Sequence, residues 1–125
     1  MKLNQECVRD LLLSIEEVSI VNKTYSLAHY VQNSALKEKS YTEDELMYVS
    51  DRLIEAGFIK GQPNFDFDYY YISTLTYEGH TFLYTIRDSN VWTLTKNVTS
   101  KVSSVPLSIL SEIANSTLRK LLNLE

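Results

Sequence analysis

Between residues 3 and 20 the apolar side chains Val8, Leu11, Leu12, Ile15 and Val18 recur at helical spacing, with Arg9, Asp10, Glu16 and Glu17 between them. That pattern predicts an amphipathic helix. Cys7, at the edge of the stripe, reads as a small core or boundary residue, because no basic neighbour that would activate its thiol is identifiable. Residues 21–40 carry no single period. TYSLAHYV fits a short strand with Tyr25, Leu27 and His29 on one face, or part of a short helix running on through Ala35-Leu36-Lys37.

The pattern sharpens at Thr42. Thr42 and Glu45 have the spacing of a capping box, in which each side chain satisfies a free amide at the helix start. Leu46, Val49, Leu53 and Ala56 then follow at 3.6-residue spacing, and Gly57 supplies a left-handed stop before Phe58 and Ile59 open a strand. The turn-forming cluster at 61–64, Gly-Gln-Pro-Asn, followed by the alternating Phe65-Asp66-Phe67-Asp68-Tyr69 and then Tyr70, Tyr71 and Ile72, predicts a two-stranded hairpin. Its strands are 58–60 and 67–74, with the tip near 61–66. Thr76 is placed to cap a helix over 77–88, and Ser89 or Asn90 another over 91–103 with Val91, Thr95, Val98 and Val102 on one side. Pro106 suits a first-turn position. Leu107, Leu110, Ala114, Thr117, Leu118 and Leu121 make a last amphipathic helix whose apolar face widens to Ile113, Leu122 and Leu124.

Helix, ambiguous segment, capped helix and hairpin, in that order, predict an α+β fold of winged helix-turn-helix type with a two-stranded wing and two additional C-terminal helices. The helix from Thr42 takes the recognition position. The chain divides into a winged-helix-like core, 1–88, and a helical extension, 89–125, within one domain.

The runs Tyr41-Thr42-Glu43-Asp44-Glu45-Leu46, Leu53 to Ile59, Leu75-Thr76-Tyr77-Glu78-Gly79-His80-Thr81-Phe82-Leu83, Ile86-Arg87-Asp88 and Val91-Trp92 resemble an uncharacterised bacterial and phage family, domain of unknown function 2513. The resemblance covers almost the whole chain and is most specific from Leu75 to Trp92. Tyr77 stands where that family more often has tryptophan, and Thr74 where a basic residue is common. The resemblance implies a small winged-helix-like protein of bacterial or mobile-element origin. It implies no established activity.

Charge bears on what such a fold would touch. The 125 residues carry 12 Lys and Arg against 16 Asp and Glu, a formal −4. A helical wheel places Asp44, Tyr48, Asp51 and Glu55 on the outward face of the 42–56 helix, where Arg52 on a flank is the only base. Groove-reading helices present hydrogen-bond donors to bases and cations to phosphates, so this face opposes approach to DNA. A DNA-binding regulator would need another surface, formed by convergence of Lys37, Lys39, Arg52 and Lys60. Phe65, Phe67, Tyr69, Tyr70 and Tyr71 supply rings for base stacking without the positive groove that accompanies them.

Protein contact, including self-association as a homodimer, is the leading expectation. Nine tyrosines supply much amphipathic aromatic area. The expected contact residues are Tyr48, Phe65, Phe67, Tyr69, Tyr70 and Tyr71, with Leu118 and Leu122 on the last helix. Structural roles fall to Thr42, Glu45, Gly57, Gly79 and Trp92. A helix former at position 79 would be favoured by roughly 0.5–1 kcal/mol, so glycine there points to a close backbone approach. No catalytic residue, metal site or cofactor is expected. One cysteine excludes an internal disulfide, His29 and His80 form no ligand motif, and Asp66 and Asp68 read as a solvated edge. With no signal peptide or membrane span and three unsupported glycosylation triplets at Asn22, Asn97 and Asn115, a cytoplasmic protein is expected.

Overall fold

The structure is a computed structural model that describes residues 1–64 and 69–124, excluding the side chain of Tyr69. Helix α1 (Gln5–Val18) starts at Asn4, whose side chain accepts from the Cys7 amide. It buries Cys7, Val8, Leu11, Leu12 and Ile15 completely. The ambiguous segment resolves into both readings in succession. Strand β1 (Tyr25–Ser26) passes directly into α2 (Leu27–Gln32), capped by Ser26, and a 3-10 turn over Ala35–Glu38 follows. Two residues of strand and a six-residue helix are each too short to leave a period in the sequence.

Helix α3 (Glu43–Glu55) carries the full capping box between Thr42 and Glu45, and the chain leaves it through Gly57 at φ +80°. Strands β2 (Ile59–Asn64) and β3 (Tyr69–Leu75) pair antiparallel from Ile59 opposite Leu75 to Asn64 opposite Tyr69, with a register shift between Lys60 and Gly61. β1 adds to the far side of β3, pairing Tyr25 with Ile72 and Ser26 with Tyr71, so the sheet has three strands in the order β1-β3-β2 and not two. The turn expected at 61–64 is instead strand. β2 is an edge, where the missing N–H of Pro63 need cost no ladder bond, and Gly61 takes up the irregularity. The residues joining β2 to β3, with Phe65, Asp66, Phe67 and Asp68, lie outside the described residues.

Helices α4 (Tyr77–Ile86), α5 (Ser89–Thr99) and α6 (Leu107–Leu121) complete the chain. Thr76 caps α4, and its hydroxyl donates to the Gly57 carbonyl. The carbonyl of Phe58 accepts from the Thr76 amide (3.0 Å) and lies where a side chain at position 79 would stand, 1.9 Å from the ideal Cβ. Gly79 therefore lets the start of α4 press against the backbone leading into β2. The α5 cap is Asp88, accepting from Asn90 and Val91, rather than Ser89 or Asn90 themselves. A carboxylate one residue earlier reaches two amides at once. α5 also ends earlier than the expected 103 and turns a different face inward: Val91, Trp92, Thr95 and Thr99 are buried, while Val98 and Val102 are exposed. The bulk of Trp92 sets that rotation, and the Thr99 hydroxyl is satisfied by the Lys96 carbonyl (3.1 Å) and Gln5 Oε1 (3.2 Å). Pro106 occupies the cap position of α6, one residue before the first turn.

One buried cluster runs from α1 through α2, α3 and the sheet to α4, Trp92 and the first half of α6, where Leu107, Leu110 and Ala114 enter it. Tyr30 is fully enclosed there, its hydroxyl donating to the Ile72 carbonyl (2.7 Å).

Candidate interaction surfaces

The outward face of α3 is occupied by its own charges. Thr42 and Glu45 fix its first turn, and Asn4 Nδ2 donates to Glu45 Oε2 (2.8 Å), tying that cap to the cap of α1. Hydrogen bonds from Asn4 and from the Thr42 amide hold the Glu45 carboxyl below its ordinary range. At the other end, the Arg52 guanidinium donates to Asp51 and to Glu55 (2.8 Å) and lies 5.2 Å from the centre of the Tyr48 ring. The hydrogen bond to Asp51, followed by the nearby charges, keeps Arg52 more firmly protonated than usual. The single cation of the helix is thus committed to two of its five carboxylates. Tyr48 is half-buried and, with Leu3, Val105, Pro106 and Leu107, lines a groove of about 410 Å³ between α3 and the start of α6.

Of the expected aromatic contacts, Phe65 and Phe67 lie outside the described residues, and Tyr69 is placed only by its backbone, at the start of β3. Tyr70 is half-buried and hydrogen-bonded to Asp51, with burial first and that bond second raising its hydroxyl pKa. This links β3 to α3. Tyr71 is half-buried opposite Gln62 and Ser26. On α6, Leu118 is half-buried and Leu122 is 58% exposed.

The four cations of the DNA-binding alternative sit on three elements, Lys37 and Lys39 sharing the 3-10 turn and its end. Lys37 is exposed on the 3-10 turn, Lys39 just after it approaches Asp10 of α1 (3.9 Å), and Lys60 is exposed on β2. Arg52 stands nine residues beyond the first residue of α3, roughly 14 Å along its axis at 1.5 Å per residue. The Asp10 that draws Lys39 also accepts from the Tyr41 hydroxyl (2.6 Å). Burial, reinforced by that bond, raises the Tyr41 pKa.

A surface that sequence reasoning missed runs along α4. Tyr77, His80, Tyr84 and Arg87 follow at i, i+3, i+7 and i+10, the His80 and Tyr84 rings are 5.7 Å apart, and Arg87 lies 5.4 Å from the Tyr84 ring. Tyr77 is 81% exposed. The spacing was visible in the sequence, but the same residues also read as the family-like block, which hid their common face. Arg87 pairs with Glu16 of α1, and that hydrogen bond raises its pKa.

Cys7, Trp92, Glu6 and His29 are each held by their surroundings. Cys7 is fully buried, and that burial, with Glu45 and Asp10 nearby, pushes its thiol up to about 12. Such a thiol is a poor nucleophile at neutral pH. Trp92 is buried and its indole N–H donates to Glu6 (3.2 Å), which also receives Lys96. Burial opposes ionisation of Glu6, but the Lys96 and Trp92 hydrogen bonds outweigh it and leave the carboxyl below its ordinary range. His29 stacks on Tyr25 (4.0 Å between ring centres). Among the described residues no group of three or more His, Cys, Asp or Glu side chains is arranged to hold a metal ion, and no helix is long and apolar enough to cross a membrane.

Residues 2–106 match the family model described as Hypothetical protein (DUF2513), and the chain belongs to that family. No curated protein and no solved structure matches it.

Proposed function

We propose that this chain is a non-enzymatic module of winged-helix type, from a bacterial or prophage setting, that works through contacts with protein rather than by reading DNA with α3. The order α1, β1–α2, capped α3 and the β2–β3 hairpin supports the winged-helix part, with α3 in the recognition position and β2–β3 as the wing. The family resemblance supports the biological setting. One observation carries the rest: Arg52, the only base of α3, is taken up by Asp51 and Glu55 over the Tyr48 ring. What remains outward is carboxylate and tyrosine. A polyanion meets net repulsion there, whereas tyrosine beside an apolar groove is the composition that protein interfaces favour.

Fluorescence anisotropy with labelled mixed-sequence duplex DNA at about 50 and 200 mM salt tests this reading. The expected result is no binding at the lower salt. Micromolar binding that weakens steeply at the higher salt overturns it.

A further inference from the structure

The outer face of α6, opposite the side that enters the core, has a charge order that is complementary to its own reverse. Ile109, Glu112, Ser116 and Lys120 are exposed, and their spacing of three or four residues aligns them along one face of the helix; Asn123, just past its end, is exposed as well. The acid and the base stand four residues on either side of Ser116. Neither Glu112 nor Lys120 has an ion-pair partner among the described residues. The face is concave: Glu112, Ser116, Lys120, Asn123 and Leu124 line a trough of about 600 Å³, with Asn115 and Arg119 along one wall. Its end wall is built by the helix stop. Asn123 adopts φ 59°, the Asn123 amide donates to the Lys120 carbonyl (3.1 Å) and the Leu124 amide to the Arg119 carbonyl (2.7 Å). This double closure turns the chain back and leaves Leu124 52% exposed beside the trough.

We propose that the occupant of this trough is the α6 of a second copy of the chain, running antiparallel about a two-fold axis at Ser116. In that register Glu112 of each copy faces Lys120 of the other, so both charges are matched twice by one symmetry operation. Ile109 of each copy comes beside Leu124 of the other, covering an apolar side chain at both ends. Ser116 meets Ser116 at the crossing, where a small residue allows the helices to approach to roughly 8–10 Å. A parallel arrangement would set Glu112 against Glu112 and Lys120 against Lys120. A single helix face is a small interface, so a micromolar dimer is expected rather than an obligate one. The inference rests on the protein-contact reading above and names its partner.

Sedimentation velocity and light scattering of the full chain over about 1–200 µM, the range in which a micromolar dimer forms, measure the association. Glu112→Lys and Lys120→Glu each place like charges face to face and are expected to weaken the dimer at least about 10-fold. The double variant E112K/K120E restores the pairs and is expected to return to within about 3-fold of the parent. Circular dichroism of each variant checks that these exposed substitutions leave α6 folded. A monomer throughout the range overturns the inference, as does a dimer indifferent to the single reversals, which would use a different face. Both outcomes leave the protein-contact reading standing, whereas salt-sensitive DNA binding by anisotropy removes that reading whatever the mass.

Discussion

Helices α1 and α6 carry similar leucine-rich stripes, and the fold treats them differently. α1 buries its stripe completely from Cys7 to Ile15, and Val18 partly, against α2, α3, α4 and the sheet. α6 buries only Leu107, Leu110 and Ala114, where it lies on α4 and α5, and leaves Leu121 and Leu122 49% and 58% exposed. Amphipathic spacing thus specifies that a face is apolar but not what covers it. The neighbours of α1 surround it along its length; those of α6 run out after about two turns.

Substitutions along the two helices should separate these cases. Leu11→Ala removes a fully buried side chain and should cost about 2–5 kcal/mol in urea unfolding. A cost under about 1 kcal/mol would contradict the complete enclosure of that face of α1. Tyr30→Phe, just behind α1, removes the buried hydrogen bond to the Ile72 carbonyl and should cost about 1–1.5 kcal/mol. It also carries a pH signature. Burial raises the Tyr30 pKa from 10.0 to about 12, so its neutral form is favoured in the fold. The associated stability is complete below pH 10 and lost as pH rises through that interval. The difference between parent and variant should therefore shrink across it, as followed by urea titrations at a series of alkaline pH values. Asn4→Ala removes the α1 cap and the bond to Glu45 and should cost about 1 kcal/mol, read from the thermal midpoint. Leu121→Ala, smallest of all, should change stability by no more than about 0.5 kcal/mol in dilute solution. A larger loss there would show that the end of α6 is covered within the single chain.

Local signals were legible where one residue type answers one geometric demand. The capping box at Thr42 and Glu45, Gly57 at positive φ and the Thr76 cap all satisfy backbone groups within a few residues, so the sequence alone exposes them. The Phe58 contact that position 79 accommodates is long-range, and glycine hinted at it only because a helix interior disfavours that residue. The misread cases share another cause. Gly61 and Pro63 look like a turn because turns use them, but an edge strand tolerates both, and edge status depends on which strands pair. A short strand near Tyr25 is one of two readings of the sequence, but its place as a third strand was not legible, because β1 contributes two residues to a ladder whose other side lies more than forty positions away. For α5, the valines suggested one face and the tertiary fit of Trp92 selected another. The surfaces were legible as composition only. That Arg52 would be taken by Asp51 and Glu55 was implied by their adjacency, whereas the link from Asp51 to Tyr70 required the sheet.

The placement of the one cysteine has a kinetic consequence. Cys7 sits where α1 is most enclosed, with its thiol held protonated, so a thiol-directed reagent reacts with it only when the chain opens around it. The protein thereby carries a built-in clock for its own opening. If the free energy of opening derived from labelling equals that of global unfolding, α1 is released last; if it is smaller, α1 detaches while the rest of the fold persists.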